Sequence, residues 1–414
     1  MNEFYQLDVN KVYDYVQQEL NFFHEDADIE CSEIGDGNLN LVFRVKDKKH
    51  NKSVIVKQSL PYVRCVGEDW PLSIGRSEIE SKLLEIEYKL TNGKVPEVYK
   101  FDKVMYSTIM EDLTDYVIMR TGLLEYNQYP KFVDQITDFI VNTLILTSDV
   151  VMEHKEKKAY VKEFINPQLC EITEDLVYSE PFFDAKRNNT PDYMISFMEK
   201  NVWNDKALIL EVTKLKFDFM NNAQALLHGD LHTGSIFINQ DNIKVIDPEF
   251  AFYGPIAYDI GALIANLIMN YLSTDVRCND TELKNKHMTY LLDTIKDVMD
   301  VFRDKCIKIW PEVVKDNMVL RSPDFAKYYI DDIFVNTAGV AGCEMIRRTV
   351  GLAHVADLDG IEDETKREEA RKLNVLLAKE FIMKRNEILE GKDFVNLIKN
   401  FCGKNKFSIE KECS

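Results

Sequence analysis

The chain has 414 residues, of which 45% are hydrophobic, so the sequence predicts a folded protein of two closely packed lobes. The 51 basic and 70 acidic residues give a net charge of −19, which disfavours nucleic acid as a partner. The eight cysteines form no CxxC pair, and no apolar stretch approaches the roughly 20 residues that span a bilayer. We therefore expect a cytoplasmic protein with neither a zinc site nor a membrane segment.

The first quarter of the chain combines helical and β-type patterns. Apolar residues at helical spacing predict a helix over Tyr5–Phe23. Short β-type runs separated by Gly, Asp and Asn then extend from Ile29 to Val56. A second helix is predicted over Ile74–Leu90, with extended segments at Val95–Tyr99 and Val104–Met110.

The remainder of the chain is mainly helical. Asn166–Pro191 has little periodicity and is predicted to be a loop-rich insertion, and the polar tail beyond Phe401 is expected to fray. One β-hairpin is predicted, with Ser235–Ile238 and Ile243–Ile246 on either side of a polar turn. Helices are predicted over Phe132–Thr147, Asp205–Leu227, Asp259–Leu272, Lys284–Trp310, Tyr328–Val350 and Asp363–Glu390.

These patterns predict an α+β fold with two lobes. Residues 1–112 would form a small β-rich, nucleotide-binding lobe, and residues 113–414 a larger, mainly helical lobe that carries catalysis and the substrate site. A small sheet followed by a helical body, with a hairpin at the junction, is the layout of a bilobal kinase.

Two acidic clusters flank the predicted hairpin. His228-Gly229-Asp230 follows the helix predicted to end near Leu227, and Asp247 ends the second hairpin strand, just before Glu249. Two such clusters suit phosphoryl transfer, in which one carboxylate accepts the proton of the attacking hydroxyl and the other holds Mg²⁺ on the phosphates. The HGD triplet alone is a weak signal. Its combination with the hairpin and the second cluster indicates a kinase.

A glycine-containing segment between two β-type runs is the candidate phosphate loop. Glycines allow the backbone amides of a hairpin turn to approach phosphate oxygens closely. The segment is a G-x-G with an asparagine where a third glycine would complete GxGxxG, and by itself it is more typical of an ordinary hairpin turn than of a phosphate loop. Its candidate ATP-binding residues are Gly35, Gly37, Asn38 and Asn40.

Lys57 ends a buried β-type run, which is unusual for a cation without a partner. Glu80 on the following helix can supply that partner, and we prefer it to Glu78 on the same helix. The resulting ion pair would present the ammonium group to the α- and β-phosphates of ATP. In isolation, Lys57 could instead be a strand-edge lysine that reaches to water.

The junction between the two lobes offers backbone groups to an adenine ring. Met110, Glu111 and Leu113 lie where the last predicted strand of the small lobe gives way to helix. A surface turn is the alternative interpretation.

In these residues and motifs, the chain resembles the 5-methylthioribose kinases, a family in the aminoglycoside phosphotransferase/choline kinase branch of the protein-kinase-like fold. The resemblance covers nearly the whole chain. Its most specific stretches are Gly35–Phe43, Pro61–Pro71, Asn166–Pro181, His228–Ile236 (HGDLHTGSI) and Asp247–Gly261 (DPEFAFYGPIAYDIG).

The resemblance implies an activity and assigns roles. Asp230 would be the base for the anomeric hydroxyl of the sugar, and Asp247 with Glu249 would hold Mg²⁺. Relatives in the wider branch usually have Asn five residues after the base; here the residue is Ser235, so Glu249 would take over part of the metal coordination. The resemblance also implies ATP as co-substrate and a homodimer.

Arg347 and Arg348 are the remaining signature of the resemblance. Two adjacent arginines can hydrogen-bond sugar hydroxyls and neutralise charge on the transferred phosphoryl group. Without the resemblance they could simply face the last carbonyls of a helix. His232 is expected to orient the catalytic loop rather than to transfer protons.

The sequence thus predicts ATP-dependent phosphorylation of 5-methylthioribose to its 1-phosphate, in methionine salvage. One alternative is a related kinase that acts on another sugar, an aminoglycoside or a choline-like alcohol, although choline would need an aromatic cage for its cation. Another alternative is a nucleotide-binding protein that has lost transfer activity.

Overall fold

The computed structural model describes residues 3–34, 40–63 and 67–412, and its first part is built on one antiparallel sheet. Five strands pair in the order β1-β2-β3-β7-β6, while β4 and β5 pair with each other. The elements are α1 (Val12–Leu20), β1 (Ile29–Glu33), β2 (Asn40–Asp47), β3 (Lys52–Ser59), β4 (Tyr62–Val63), β5 (Gly67–Pro71), α2 (Arg76–Thr91), β6 (Val98–Asp102) and β7 (Ser107–Glu111).

The two faces of strand β3 contact different parts of the protein, because successive side chains of a strand point to opposite sides. Val54 and Val56 are buried in the hydrophobic cluster that contains Val12 and Val16 of α1. Lys57 therefore lies on the other face of the sheet, which is turned toward the second lobe.

The second lobe is mainly helical, with two buried helices at its centre. Helices α9 and α12 are buried along most of their length and pack against each other. The elements are β8 (Val117–Ile118), α3 (Met119–Leu124), α4 (Phe132–Ile140), α5 (His154–Glu163), α6 (Pro167–Leu176), α7 (Asp192–Met198), α8 (Lys206–Asn221), β9 (Ala225–Leu227), β10 (Ile236–Ile238), β11 (Ile243–Val245), β12 (Phe252–Gly254), α9 (Ala257–Arg277), α10 (Thr281–Val313), α11 (Asn317–Leu320), α12 (Phe325–Val350), α13 (Ala356–Asp359), α14 (Glu364–Met383) and α15 (Gly391–Glu412).

Short strands shape the part of the second lobe that faces the sheet. The predicted hairpin is present as β10 and β11, and β8 joins it as a third strand. Strand β9 precedes the hairpin in the chain and pairs with β12, which follows it. The α+β fold class, with a small β-rich lobe and a larger helical lobe, is confirmed.

Several predicted elements differ from the structure. The predicted helix Asp205–Leu227 stops at Asn221, and its last three residues form β9 because they pair with Phe252–Gly254. The predicted loop-rich segment Asn166–Pro191 contains α6, whose Pro167 occupies a first-turn position that proline favours. Helix α15 continues beyond Phe401, where we expected fraying.

Two further boundaries are set by side chains that bind the backbone. The predicted helix over Tyr5–Phe23 begins only at Val12, because the side chain of Gln58 binds the N–H of Leu7 and the carbonyl of Tyr5. The predicted strand Val104–Met110 begins at Ser107, since the preceding residues form a turn.

None of the helices in the described ranges has the length and apolar character that crossing a membrane would require.

Candidate active site

A cavity of about 490 Å³ lies between the two lobes. Apolar side chains of the sheet and of the hairpin line its opposite sides, and charged side chains gather at one end. It is lined by Ile34, Val42, Arg44, Ile55, Lys57, Glu80, Leu84, Pro96, Met110, Glu111, Asp112, Leu113, Ile118, Gly234, Phe237, Ile246 and Asp247.

Lys57 connects the two lobes at the charged end of the cavity. Its Nζ lies 2.7 Å from Oε1 of Glu80 and 2.6 Å from Oδ1 of Asp247. Burial alone would lower the pKa of Lys57, but the carboxylates of Asp247, Glu80 and Glu249 outweigh that effect and raise it. Glu78 instead faces Lys82 and Lys103 at the surface. The structure therefore brings Lys57 together with Glu80 rather than Glu78.

The junction residues Met110, Glu111 and Leu113 all line the cavity. Oε2 of Glu111 lies 2.7 Å from Nζ of Lys244 on the hairpin. The neighbouring Asp112 accepts two hydrogen bonds from Arg44, at 2.9 and 3.0 Å. These ion pairs fix the junction on both sides, so its backbone can present fixed groups to a ligand.

The candidate phosphate loop is described only at its end. Gly35, Gly37 and Asn38 lie outside the described residues. Asn40 is buried at the start of β2, where its Nδ2 donates to Oε2 of Glu249 at 3.1 Å. The side chain of Asn40 thus supports the acidic segment after the hairpin.

Arg76, in the first turn of α2, is a site residue that sequence reasoning missed. It is buried and lies 3.2 Å from Oε2 of Glu249 through its Nε. It also donates to the carbonyls of Leu60 and Ser73 and to Oδ1 of Asn40. No local pattern marks this arginine, because Glu249 lies 173 residues further along the chain.

The predicted catalytic loop, residues 228–235, is held by Asp259, a second residue whose role the sequence did not reveal. Its two carboxylate oxygens accept the backbone N–H groups of His228 and Gly229 at 2.7 and 2.9 Å. Gly229 has a φ of +81°, and a Cβ there would lie 2.3 Å from the carbonyl oxygen of Phe250. Only glycine fits this turn, which sets the direction of Asp230.

Asp230 lies at the end of this turn with about 30% of its side chain exposed. The hydroxyl of Ser235 donates to its backbone carbonyl at 2.8 Å, so Ser235 supports the loop. Burial raises the pKa of Asp230, whereas Arg348 and Arg347 lower it. A partly buried carboxylate of raised pKa at a cleft is suited to act as a general base.

His232 supports the same loop. Its Nδ1 accepts the backbone N–H groups of Gly234 and Ser235, each at 3.1 Å. Nε2 therefore carries the proton and points toward Oδ2 of Asp230, 3.5 Å away. Burial, with the charges of Arg120 and Arg348, lowers the pKa of His232 well below its ordinary value, so the ring stays neutral.

Asp247 and Glu249 are the candidate metal ligands. Asp247 has a φ of +64° and leaves about 48% of its side chain exposed. Burial raises its pKa, but the ammonium group of Lys57 more than offsets this and keeps the pKa below its ordinary value. Among the described residues, no three His, Cys, Asp or Glu side chains meet in a possible metal cluster. Two carboxylates fit Mg²⁺, which usually takes its other ligands from phosphates and water.

Arg347 and Arg348 lie in the last turn of helix α12, and their charges act on Asp230. Both Nε atoms donate to the buried carboxylate of Glu344, one turn earlier on the same helix. A third arginine, Arg120 of α3, was not found from the sequence. Its backbone N–H donates to the carbonyl of Thr233 in the catalytic loop.

Two polar side chains of the second lobe hold the guanidinium of Arg120 in place. Its Nη2 donates to Oδ1 of Asn266 at 2.8 Å, and its Nε lies 3.5 Å from Asp357. Its Nη1 would lie 2.9 Å from a Cβ at Gly234, so the guanidinium packs directly on the catalytic loop. Arg120, Arg347 and Arg348 all interact electrostatically with Asp230.

Comparison with known proteins places these features in one family. The Phosphotransferase enzyme family (APH) matches residues 205–278, which include both acidic clusters. The methylthioribose kinase of Geobacillus kaustophilus (strain HTA426) is 43% identical over 378 residues, covering 91% of this chain and 93% of that protein. The methylthioribose kinase of Geobacillus thermodenitrificans (strain NG80-2) is 44% identical, with 91% and 93% covered.

Solved structures are more distant. A glucosamine kinase is 11% identical and has a TM-score of 0.49, with 90% of this chain and 85% of that chain covered. The family assignment depends on the sequence relatives, whose identity exceeds 40% over nine-tenths of the chain. The chain belongs to the methylthioribose kinase family.

Proposed function

We propose that this protein transfers the γ-phosphate of ATP to the anomeric hydroxyl of 5-methylthioribose, giving the 1-phosphate and ADP in methionine salvage. The observation that carries the proposal is the arrangement of the cleft. Lys57 and Asp247 meet at 2.6 Å at the end of a cavity of about 490 Å³, and a loop fixed by Asp259 presents Asp230 nearby. Relatives at 43–44% identity carry the name of this activity.

The nucleotide would occupy the cavity. Its adenine ring would lie between the sheet and the hairpin, against Met110, Glu111 and Leu113. The ammonium group of Lys57, held by Glu80, would neutralise the α- and β-phosphates. The segment with Gly35, Gly37, Asn38 and Asn40 would cover the phosphates.

Mg²⁺ would be held by Asp247 and Glu249 together with the phosphates, and would supply charge neutralisation there. Asn40 and Arg76 hold Oε2 of Glu249 in place, at 3.1 and 3.2 Å. Asp247 is more exposed and would therefore be the more accessible of the two ligands.

Transfer would begin at Asp230. Its carboxylate would accept the proton of the anomeric hydroxyl as the hydroxyl oxygen attacks the γ-phosphorus in line with the leaving oxygen of ADP. Arg347 and Arg348 would bind sugar hydroxyls and neutralise the charge that develops on the transferred group. Most of the catalysis would come from positioning and electrostatics.

The charge around Asp230 favours a neutral acceptor. Arg120, Arg347 and Arg348 all act electrostatically in this part of the cleft. Glu344, Asp357 and Asp230 together balance the three guanidinium charges, so the site has no excess negative charge to attract a cationic acceptor such as choline or an aminoglycoside. A sugar hydroxyl, by contrast, would be a good hydrogen-bond partner for the guanidinium groups.

We also propose that residues 1–112 and 113–414 act as separate lobes and that the protein is a cytoplasmic homodimer. The cavity supports the lobe boundary, because its lining passes from β7 through Leu113 to β8. Leu210, Phe217 and Met220 are exposed on helix α8, at a spacing that places them on one face, and they are a candidate contact for a second copy.

The proposed function is tested by measuring ADP release from Mg-ATP with 5-methylthioribose, ribose, choline or kanamycin as acceptor. We expect release that depends on methylthioribose and falls by orders of magnitude in Asp230→Asn, while nucleotide binding persists. Release with another acceptor alone would replace the substrate. ATP binding without release on any acceptor would favour an inactive nucleotide-binding protein.

A further inference from the structure

Glu344 lies on helix α12, one turn before the adjacent arginines, and is buried between them. Its Oε2 lies 2.5 Å from Nε of Arg347, and its Oε1 lies 2.8 Å from Nε of Arg348. Each carboxylate oxygen thus binds one guanidinium. Burial alone would raise the pKa of Glu344, but the two arginines lower it to about 2, so the carboxylate is ionised at neutral pH.

The geometry of these bonds leaves the terminal nitrogens of both arginines available. Both hydrogen bonds use Nε, and across the described ranges neither guanidinium donates from its Nη atoms to another residue. The charges of Arg347 and Arg348 act on Asp230 and lower its pKa. The carboxylate therefore fixes the Nε side of each guanidinium and leaves its Nη atoms able to donate to a ligand.

Stabilisation of the fold is a weak explanation for this cluster. A buried ion pair pays a large desolvation cost and is often replaced by apolar residues without loss of stability. Two arginines on one buried carboxylate also leave a net positive charge beside Asp230. Part of that charge acts on Asp230, and the rest suits an anionic or hydroxyl-rich ligand.

We propose that Glu344 is a positioning residue for the transfer reaction, which fixes Arg347 and Arg348 so that their terminal nitrogens meet the acceptor and the transferred phosphoryl group. This inference rests on the proposed function. The inference adds that Glu344 affects the reaction only by holding Arg347 and Arg348 in position.

The test is a double-mutant cycle on the acceptor kinetics. Glu344→Gln, Arg347→Ala and the combined variant are compared with the wild type in ADP release at varied methylthioribose and at varied ATP. The control is Asp332→Asn, which removes one carboxylate from the same helix about 18 Å away, at a rise of about 1.5 Å per residue. Glutamine keeps one acceptor oxygen and opposes the second guanidinium with an NH₂ group.

We expect Glu344→Gln to lower kcat/KM for the acceptor by roughly 10- to 100-fold, as for the loss of a charge-assisted hydrogen bond, with the KM for ATP within about 2-fold. The combined variant should lose at least about 5-fold less than the product of the two single losses, because both changes disable the same guanidinium. Asp332→Asn should behave as the wild type.

Losses that multiply fully, or a KM for ATP that changes as much as that for the acceptor, would overturn the inference. If Glu344→Gln does not fold, Glu344→Asp takes its place in the cycle, since it keeps the charge but cannot reach both Nε atoms; wild-type acceptor kinetics in that variant would also overturn the inference. A wild-type protein that releases no ADP with methylthioribose would overturn the proposed function, and the inference with it.

Discussion

Nε of Arg76 lies 3.2 Å from Oε2 of Glu249, so a guanidinium at the start of helix α2 is buried against one of the two candidate metal ligands. Asn40 donates to the same oxygen at 3.1 Å. Glu249 is thus held by two residues from the first lobe, although it belongs to the second. The segment that carries the candidate metal ligands is part of the contact between the lobes.

Replacement of Arg76 by Leu should therefore destabilise the protein. It would leave the buried carboxylate of Glu249 without its cation, which typically costs about 3–5 kcal/mol. The free energy of unfolding in urea measures the loss. Lys82→Ala, on the exposed face of the same helix, is the control, and its surface ion pairs should contribute about 1 kcal/mol or less. Equal unfolding midpoints for the two variants would contradict the buried pairing.

Asp247→Asn should raise the Mg²⁺ concentration needed for half-maximal activity. An amide is a weaker ligand for Mg²⁺ than a carboxylate, and we expect an increase of at least ~10-fold. The measurement is ADP release over a Mg²⁺ titration at saturating ATP. Asp241→Asn, in the exposed turn of the same hairpin, should leave the titration unchanged. An unchanged titration in Asp247→Asn would remove this residue from the metal site.

The pH dependence should report on Asp230. A general base must be ionised, and burial raises the pKa of Asp230 above its ordinary value of about 4, so kcat/KM should fall as the pH decreases through that raised pKa. Because Arg348 lowers the pKa of Asp230, Arg348→Gln should move the acidic limb to higher pH. A profile that stays flat down to pH ~4, or a limb that moves to lower pH in Arg348→Gln, would contradict the assignment.

Gly229→Ala should abolish activity or prevent folding. At a φ of +81° any L side chain is strained, and the new Cβ would lie 2.3 Å from the carbonyl oxygen of Phe250. Expression yield, thermal unfolding and ADP release measure the effect. The matched control is Gly403→Ala on helix α15, where a Cβ meets nothing within 4 Å and alanine should be neutral or stabilising. Normal activity in Gly229→Ala would show that the loop can relax.

The sequence predicted the structure correctly where a feature depends on residues that are close together in the chain. The hairpin, the HGD loop and the pairing of Lys57 with Glu80 could all be predicted, because each depends on local pattern or on residues near one another in the chain. The pairing of Arg76 with Glu249 could not be predicted, since the two residues are 173 positions apart in the chain. Ala225–Leu227 was misassigned to a helix because three apolar residues carry no periodicity of their own, and only pairing with Phe252–Gly254 makes them a strand.

The pairing of β9 with β12 closes the chain between them into a ring that contains Asp230, the hairpin and Asp247. The two carboxylates therefore lie within one closed segment of the second lobe. The contact of Lys57 with Asp247 and the contacts of Arg76 and Asn40 with Glu249 join this segment to the first lobe. Movement of the lobes away from each other would break these contacts, whereas the pairing of β9 with β12 around Asp230 and Asp247 would remain intact.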